Sequence, residues 1–391
     1  MRKLLLLAAC LIVVFGLVAV GCGEDETTTT AAPATTAGPE TTAGPETTAG
    51  PETTAAPETT TTAGTAEPEV IKLSFTHEKP PTHVDQTHNF PGLFEMVEQA
   101  TNGKYKFEIE WFPVNTLSAP ADNYDAVKSG IADCGQSSMG YNPQSFPVMQ
   151  TAMQPGISPP ENTSAMAWAG QTLYDKYQPE EFAGTHVLFI YACGPGWLHA
   201  DYPIETVDQL KGLRIRCSGT SVGAIGLVGA DPISMPMADV YEAAQKGTID
   251  ALLSPAETLE GWKHNELFGH STLMNQLYAS DFFWVAMNLD KWNSLPDDLK
   301  AAFDQVAMDA AIKAGAMWDY AHEHAIEISE GHEIHYLPEA EQAKLTEIIK
   351  PIEVEHQATL DGLGLPGQEI IADVKAIMAE ANEREYEKWE P

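Results

Sequence analysis

The chain has 391 residues, with 56 acidic against 21 basic side chains and a formal net charge of -35. A polyanion of that strength repels nucleic acid and anionic lipid, which excludes both as general partners. It also repels small anions at long range, so an anionic ligand has to be held by short, partly desolvated contacts.

Arg2 and Lys3 precede an apolar run from Leu4 to Val20, which ends in Ala19-Val20-Gly21-Cys22. Residues 1–21 have the pattern of a secretory signal, and its end resembles the lipobox of bacterial lipoproteins, in which the cysteine, here Cys22, carries the lipid. An uncleaved anchor of roughly 17 apolar residues is the rival reading. Residues 22–68 are dominated by Thr, Ala, Pro, Gly and Glu, and Thr-Thr-Ala-Gly-Pro-Glu recurs from Thr35 to Glu52. A segment with so little to bury is expected to be a disordered tether, with a reach of about 140 Å at about 3.1 Å per residue.

From Glu69 onward the pattern is that of a folded chain. Ile71, Leu73 and Phe75 alternate with Lys72 and Ser74, which predicts a strand; a helix follows over Phe90 to Thr101, with Gly103 as its stop. Tyr105, Phe107, Ile109 and Trp111 alternate in a second strand. Asp122 to Ser129 reads as helix and Ile131 to Gly135 as a short strand. This β-α-β-α-β order implies an α/β lobe with a largely parallel sheet.

A second α/β set is read from Val187 to Ala192, Leu213 to Cys217, helices near Ser221 to Val228 and Ala238 to Gln245, and Ile249 to Leu253. Phe282 to Met287 reads as a strand crossing back. Ser294 and Pro296 then open a helix running to about Ser329, roughly 50 Å at about 1.5 Å per residue, long enough to brace both lobes. Glu339 to Trp389 reads as two helices broken around Gly362 to Gly367. The expected organisation is a first lobe over 69–190 completed by 285–335, a second lobe over 191–284, and C-terminal helices over 336–391 that pack on the lobes. Two such lobes enclose a cleft that closes on a ligand by hinge motion.

Only four arginines occur in the chain, and two of them lie in Gly212-Leu213-Arg214-Ile215-Arg216. A guanidinium grips a carboxylate through two parallel hydrogen bonds and keeps its charge when buried. The bland reading, two surface arginines flanking a buried strand, stands beside it on this fragment alone. Cys134, Cys193 and Cys217 sit in apolar stretches and read as buried free thiols without metal spacing.

The run Asp208-Gln209-Leu210-Lys211-Gly212-Leu213-Arg214-Ile215-Arg216 is followed by Gly229-Ala230-Asp231-Pro232, Met235-Pro236, Val240-Tyr241-Glu242-Ala243, Gln245-Lys246-Gly247 and Ile249-Asp250. With Lys291 to Pro296, Tyr141 and Phe146-Pro147, this ordered series resembles the dicarboxylate-receptor (DctP) type of solute-binding protein from tripartite ATP-independent periplasmic (TRAP) transporters. The resemblance implies a two-lobed periplasmic-binding-protein-like fold with crossing strands. It also implies an extracytoplasmic receptor that passes an organic acid to membrane permease subunits without doing chemistry; the lipobox-like end at Cys22 adds the expectation of a lipid tether to the outer face of the cytoplasmic membrane. No cofactor or metal is expected.

By the same resemblance Arg216 pairs with the solute carboxylate, Ser254 supplies a polar contact, Met237 an apolar one, and Ser138 meets the ligand from the first lobe. Trp197, Phe283 and Trp284 are further pocket candidates, and Arg214 is a support residue. Many relatives carry a second basic residue in the segment matching Gly194 to His199, where this chain has none but His199. A second carboxylate left unmatched in a dry cleft is costly, so the expected solute is a monocarboxylate with an apolar or aromatic body.

Rival readings exist. A substrate-binding lipoprotein of an ATP-driven importer, or a sensor, shares the same cleft architecture. Gly219-Thr220-Ser221-Val222-Gly223 matches a nucleophile elbow, which makes an exported serine hydrolase using Ser221, with Asp250 and His264 or His270, a further alternative. His322, His324, His332 and His335 lack a helical metal-pair spacing and read as a solvated His- and Glu-rich helix. Asn162-Thr163-Ser164 matches a glycosylation acceptor without consequence in such a protein.

Overall fold

The computed structural model describes residues 67–157, 162–329 and 331–391. The signal at 1–21, the lipid site at Cys22 and nearly all of the 22–68 tether lie outside the described residues. Among the described residues no helix is long and apolar enough to cross a membrane.

Eleven strands among these residues, numbered in chain order, form two sheets. The first contains β1 (Glu69–Thr76), β2 (Tyr105–Phe112), β3 (Cys134–Ser138), β4 (Thr185–Ala192) and, from far along the chain, β10 (Phe282–Asn288), in the order β2-β1-β3-β10-β4. β1 pairs in parallel with both β2 and β3, whereas β10 runs antiparallel between β3 and β4. In β1, Leu73 and Phe75 are buried while Lys72 is exposed, the period-two pattern of a sheet packed on one face.

The second sheet contains β5 (Gly196–Ala200), β6 (Arg214–Cys217), β7 (Asp231–Ser234), β8 (Ala251–Pro255), β9 (His270–Leu273) and β11 (Glu333–Tyr336), in the order β11-β9-β5-β8-β6-β7. Three segments join the sheets: Cys193 to Pro195, the stretch ending at Asp281, and the turn after the long helix.

Four expectations change. The third strand starts at Cys134 rather than Ile131, because Gly130 turns the chain at φ 78° and leaves Ile131 64% exposed. Val187 to Ala192, read with the second set, is β4 at the edge of the first sheet, paired with β10. All of β10 lies in the first sheet, so the second lobe ends near Asp281 rather than at 284. β11, expected within 285–335 of the first lobe, pairs with β9 in the second sheet. A fully buried strand carries no mark of which ladder it will join, so these assignments wait on tertiary pairing.

Ser294 ends a short helix (Leu289–Ser294) whose start is capped by Asn288, its side-chain oxygen accepting from the Lys291 N–H at 3.0 Å. The long helix is Asp297–Ile328, 32 residues and about 48 Å. It packs on the helices Phe90–Ala100 and Thr163–Tyr177 and on β4. Gly315 permits that approach, since a Cβ there would sit 2.6 Å from the Ser164 backbone. Near its far end His324 Nδ1 lies 2.9 Å from Glu260 of the second lobe, so the helix does touch both. The C-terminal part is three helices, Glu339–Ile349, Pro351–Gly362 and Gly367–Asn382, because Pro351 opens a new one.

Candidate functional site

A cavity lies between the lobes, lined from the first by Glu78, Lys79, Ser138, Tyr141, Phe283 and Trp318 and from the second by Arg216, Met237, Pro255, Glu257 and Tyr278, among others. Its first-lobe wall stands at the carboxyl ends of β1 and β3, where open α/β sheets gather ligands. The lobes touch around it. Tyr141 Oη accepts from the Met237 N–H at 3.0 Å, and His83 Nε2 lies 2.9 Å from Glu257 Oε1. The space left is about 30 Å³, room for a water or two, whereas even benzene takes a cavity of about 150 Å³. A ligand of even that size therefore enters only when the lobes part.

Arg216 sits on β6 with 2% of its surface exposed. Its Nε and Nη2 donate to the Met235 carbonyl at 3.0 and 2.7 Å, and Nη1 reaches the Leu253 carbonyl at 3.4 Å. A guanidinium has five N–H donors, so these bonds orient the fork and leave donors over. Among the described residues no carboxylate is in ion-pair range of it. Arg214, two residues earlier, is taken: Nε and Nη2 hold Asp250 at 2.9 and 2.5 Å, and Nη1 donates to Gly247 O at 2.7 Å. That clasp ties β6 to the loop before β8, which fits a supporting role.

A second cation was missed in the sequence. Lys79 is buried, with Nζ 2.9 Å from Glu78 Oε1, 3.8 Å from Asp85 and 3.9 Å above the Phe283 ring. Burial alone would lower its pKa, but Glu78 and Asp85 outweigh that and raise it, so the ammonium stays charged and already neutralised. The clue was available: Glu78-Lys79-Pro80-Pro81 puts a charge pair directly after an α/β strand.

Asp281 was also missed. It accepts from Ser138 Oγ at 2.7 Å and from the Gly140 N–H at 3.2 Å, and burial pushes its pKa up to about 7. Ser138 thus lines the cavity while its hydroxyl is bonded to Asp281. Burial also raises the Tyr141 and Tyr278 hydroxyls well above their ordinary value, keeping both as neutral donors.

Of the residues expected at the ligand, Arg216, Met237, Ser138 and Phe283 line the cavity. Ser254 lies one layer behind, its Oγ 2.7 Å from Thr258 Oγ1, and Pro255 and Thr258 take the wall. Trp284 alternates with Phe283 and faces the other side of the sheet, against Tyr124 at 5.3 Å between ring centres. Trp197 packs on His322 and Tyr336, each at 5.8 Å, away from the cavity. The aromatic lining comes instead from Phe283, Trp318 and Trp262. Trp318 is stacked on Phe283 at 5.6 Å and held by a bond from Nε1 to Asp85 at 3.1 Å.

The hydrolase arrangement is not assembled. Ser221 Oγ is buried without a hydrogen-bond partner, both ring nitrogens of His264 are likewise unpartnered, and Asp250 is bonded to Arg214. His270 meets His335 and Glu333 instead. Cys134, Cys193 and Cys217 are buried free thiols.

The family model for DctP, bacterial extracellular solute-binding protein family 7, matches residues 75–359. The chain belongs to this family. The C4-dicarboxylate-binding periplasmic protein DctP of Rhodobacter capsulatus is 25% identical over 81% of this chain and 92% of its own. Among solved structures, a TRAP solute-binding protein from Rhodoferax ferrireducens in complex with copurified benzoate is 25% identical with a TM-score of 0.74, covering 80% of this chain and 99% of that one. Another from Bordetella bronchiseptica, with bound (R)- and (S)-mandelate, is 26% identical with a TM-score of 0.72, covering 79% and 99%. This DctP-family member thus has the two-lobed architecture of TRAP receptors, which are extracytoplasmic binding components of transport systems.

Proposed function

We propose that this receptor captures a small monocarboxylate with an apolar or aromatic body and delivers it to the permease subunits of a TRAP transporter, working from a lipid tether at Cys22. The observation that carries the reading is Arg216: a buried guanidinium facing the interlobe cavity with no carboxylate partner among the described residues, opposite aromatic rings. Lys79 adds no capacity for a second carboxylate, because Glu78 and Asp85 already hold it. The bound benzoate and mandelate of the two structural relatives support the same ligand class. Cys22→Ser is expected to abolish incorporation of labelled fatty acid into the chain; a wild-type chain that takes up no label rules out the lipid.

A thermal-shift screen of aromatic and aliphatic acids tests the ligand class. Benzoate- or mandelate-like acids are expected to raise the unfolding midpoint, since a ligand at 100 times its dissociation constant adds about 2.7 kcal/mol. A larger shift with succinate or malate would refute the monocarboxylate reading.

Binding should also depend on pH through Asp281. Its carboxyl, with a pKa of about 7, is neutral below that pH and anionic above it. A carboxylate docked in the same cavity disfavours the anionic form, so the complex holds a proton that the free protein has lost. Affinity therefore falls as pH rises above about 7, by up to about tenfold per unit. Calorimetry at pH 6 and 8 checks this, and Asp281→Asn should flatten the dependence.

A further inference from the structure

The third crossing between the lobes leads directly into β11, and there the parallel register with β9 places Glu333 opposite His270. Glu333 and His335, two apart on one strand, share a face of the sheet with His270. His335 Nε2 lies 3.1 Å from His270 Nδ1, and Glu333 Oε2 lies 3.7 Å from His270 Nδ1 and 3.9 Å from His335 Nε2. The two imidazoles are about one-fifth exposed and the carboxylate is mostly exposed, so the group opens to solvent.

We propose that His270, His335 and Glu333 form a site for a divalent transition-metal ion of the zinc class. Metal–ligand bonds of about 2.0–2.1 Å at tetrahedral angles set ligand atoms about 3.3 Å apart; the imidazole pair here is at 3.1 Å, and the exposed carboxylate oxygen, at 3.7 and 3.9 Å, has to draw in by about half an ångström. Two imidazoles and one carboxylate form a borderline donor set that favours zinc, copper or nickel over magnesium or calcium. In the free protein one imidazole N–H hydrogen-bonds to the other ring nitrogen. On metal binding that proton moves to the far nitrogen of its own ring, so both facing nitrogens present lone pairs. The open side takes water as a fourth ligand.

The position gives the ion a structural consequence. β11 is a four-residue edge strand held by β9 alone, and it anchors the segment that follows the long helix. An ion bridging the two strands pins the end of that crossing to the second lobe. The expectation that His332 and His335 belong to a solvated helix fails here, because the helix stops at Ile328. His332 bonds Ser271 Oγ at 2.6 Å instead and takes no part in the triad.

The test uses the tag-free full-length protein, stripped with a chelator and titrated calorimetrically with Zn²⁺ at neutral pH. One saturable site per chain is expected, with an increase in thermal midpoint, and Co²⁺ should give the visible absorption of a four-coordinate nitrogen and oxygen site. His270→Ala and His335→Ala should each weaken Zn²⁺ at least about tenfold, and Glu333→Gln should weaken it as well. Unaltered thermal midpoints of the metal-free variants establish that they fold. Absence of saturable Zn²⁺ binding below about 1 mM, or wild-type affinity in the double histidine variant, overturns the proposal. So does a Co²⁺ spectrum showing only six-coordinate, water-like ions.

Discussion

Arg216→Ala is expected to weaken binding of the best acid from the screen by at least about thirtyfold, because truncating one side of a desolvated charge pair costs about 2–5 kcal/mol. The geometry supports the upper part of that range. The side chain is buried, and the Met235 and Leu253 carbonyls hold its fork in place, so it is ordered before the solute arrives. Arg216→Lys keeps the charge but loses the fork and should fall between the two. Calorimetry gives the affinity, and a retained far-ultraviolet circular dichroism spectrum shows that the fold persists. An alanine variant that binds as tightly as the wild type would place the carboxylate elsewhere.

Gly219→Val should weaken the same ligand without touching it. Gly219 opens the turn after β6, and a Cβ there would lie 2.7 Å from the Gly140 carbonyl and 2.7 Å from Pro143 Cγ, all on the opposite lobe. A side chain at this point is a wedge in the mouth of the cleft. Overpacking costs about 1–3 kcal/mol, and here the cost falls on the closed form alone, so affinity should drop about five- to 160-fold. Small-angle scattering should show a larger radius of gyration at saturating ligand than for the wild type. If affinity is unchanged, the lobes bind solute without meeting at Gly140.

The two arginines show how far local pattern reaches. Their spacing of two puts both on one face of a strand, yet Arg216 is buried at the cavity while Arg214, at the start of the strand, is clasped by Asp250. The difference comes from what lies beyond each strand end, and Asp250 is 36 residues away. Trp197 and Trp284 make the same point in reverse: both sit in buried strands near the crossings, and both point away from the ligand space. One residue of alternation separates Phe283, on the cavity wall, from Trp284, packed against Tyr124.

Read alone, the residues determined the α/β class, the two sets of elements, the long bracing helix and the resemblance that led to Arg216. All of these rest on periodicity, capping and contiguous motifs, which act over a few residues. Only the folded chain decided which sheet takes β4, β10 and β11, and that Asp281 stands beside Ser138. It also decided that His270 meets Glu333 and His335. Those outcomes join residues tens to hundreds of positions apart, and the energy that selects them, burial and ladder pairing, exists only once both lobes have formed.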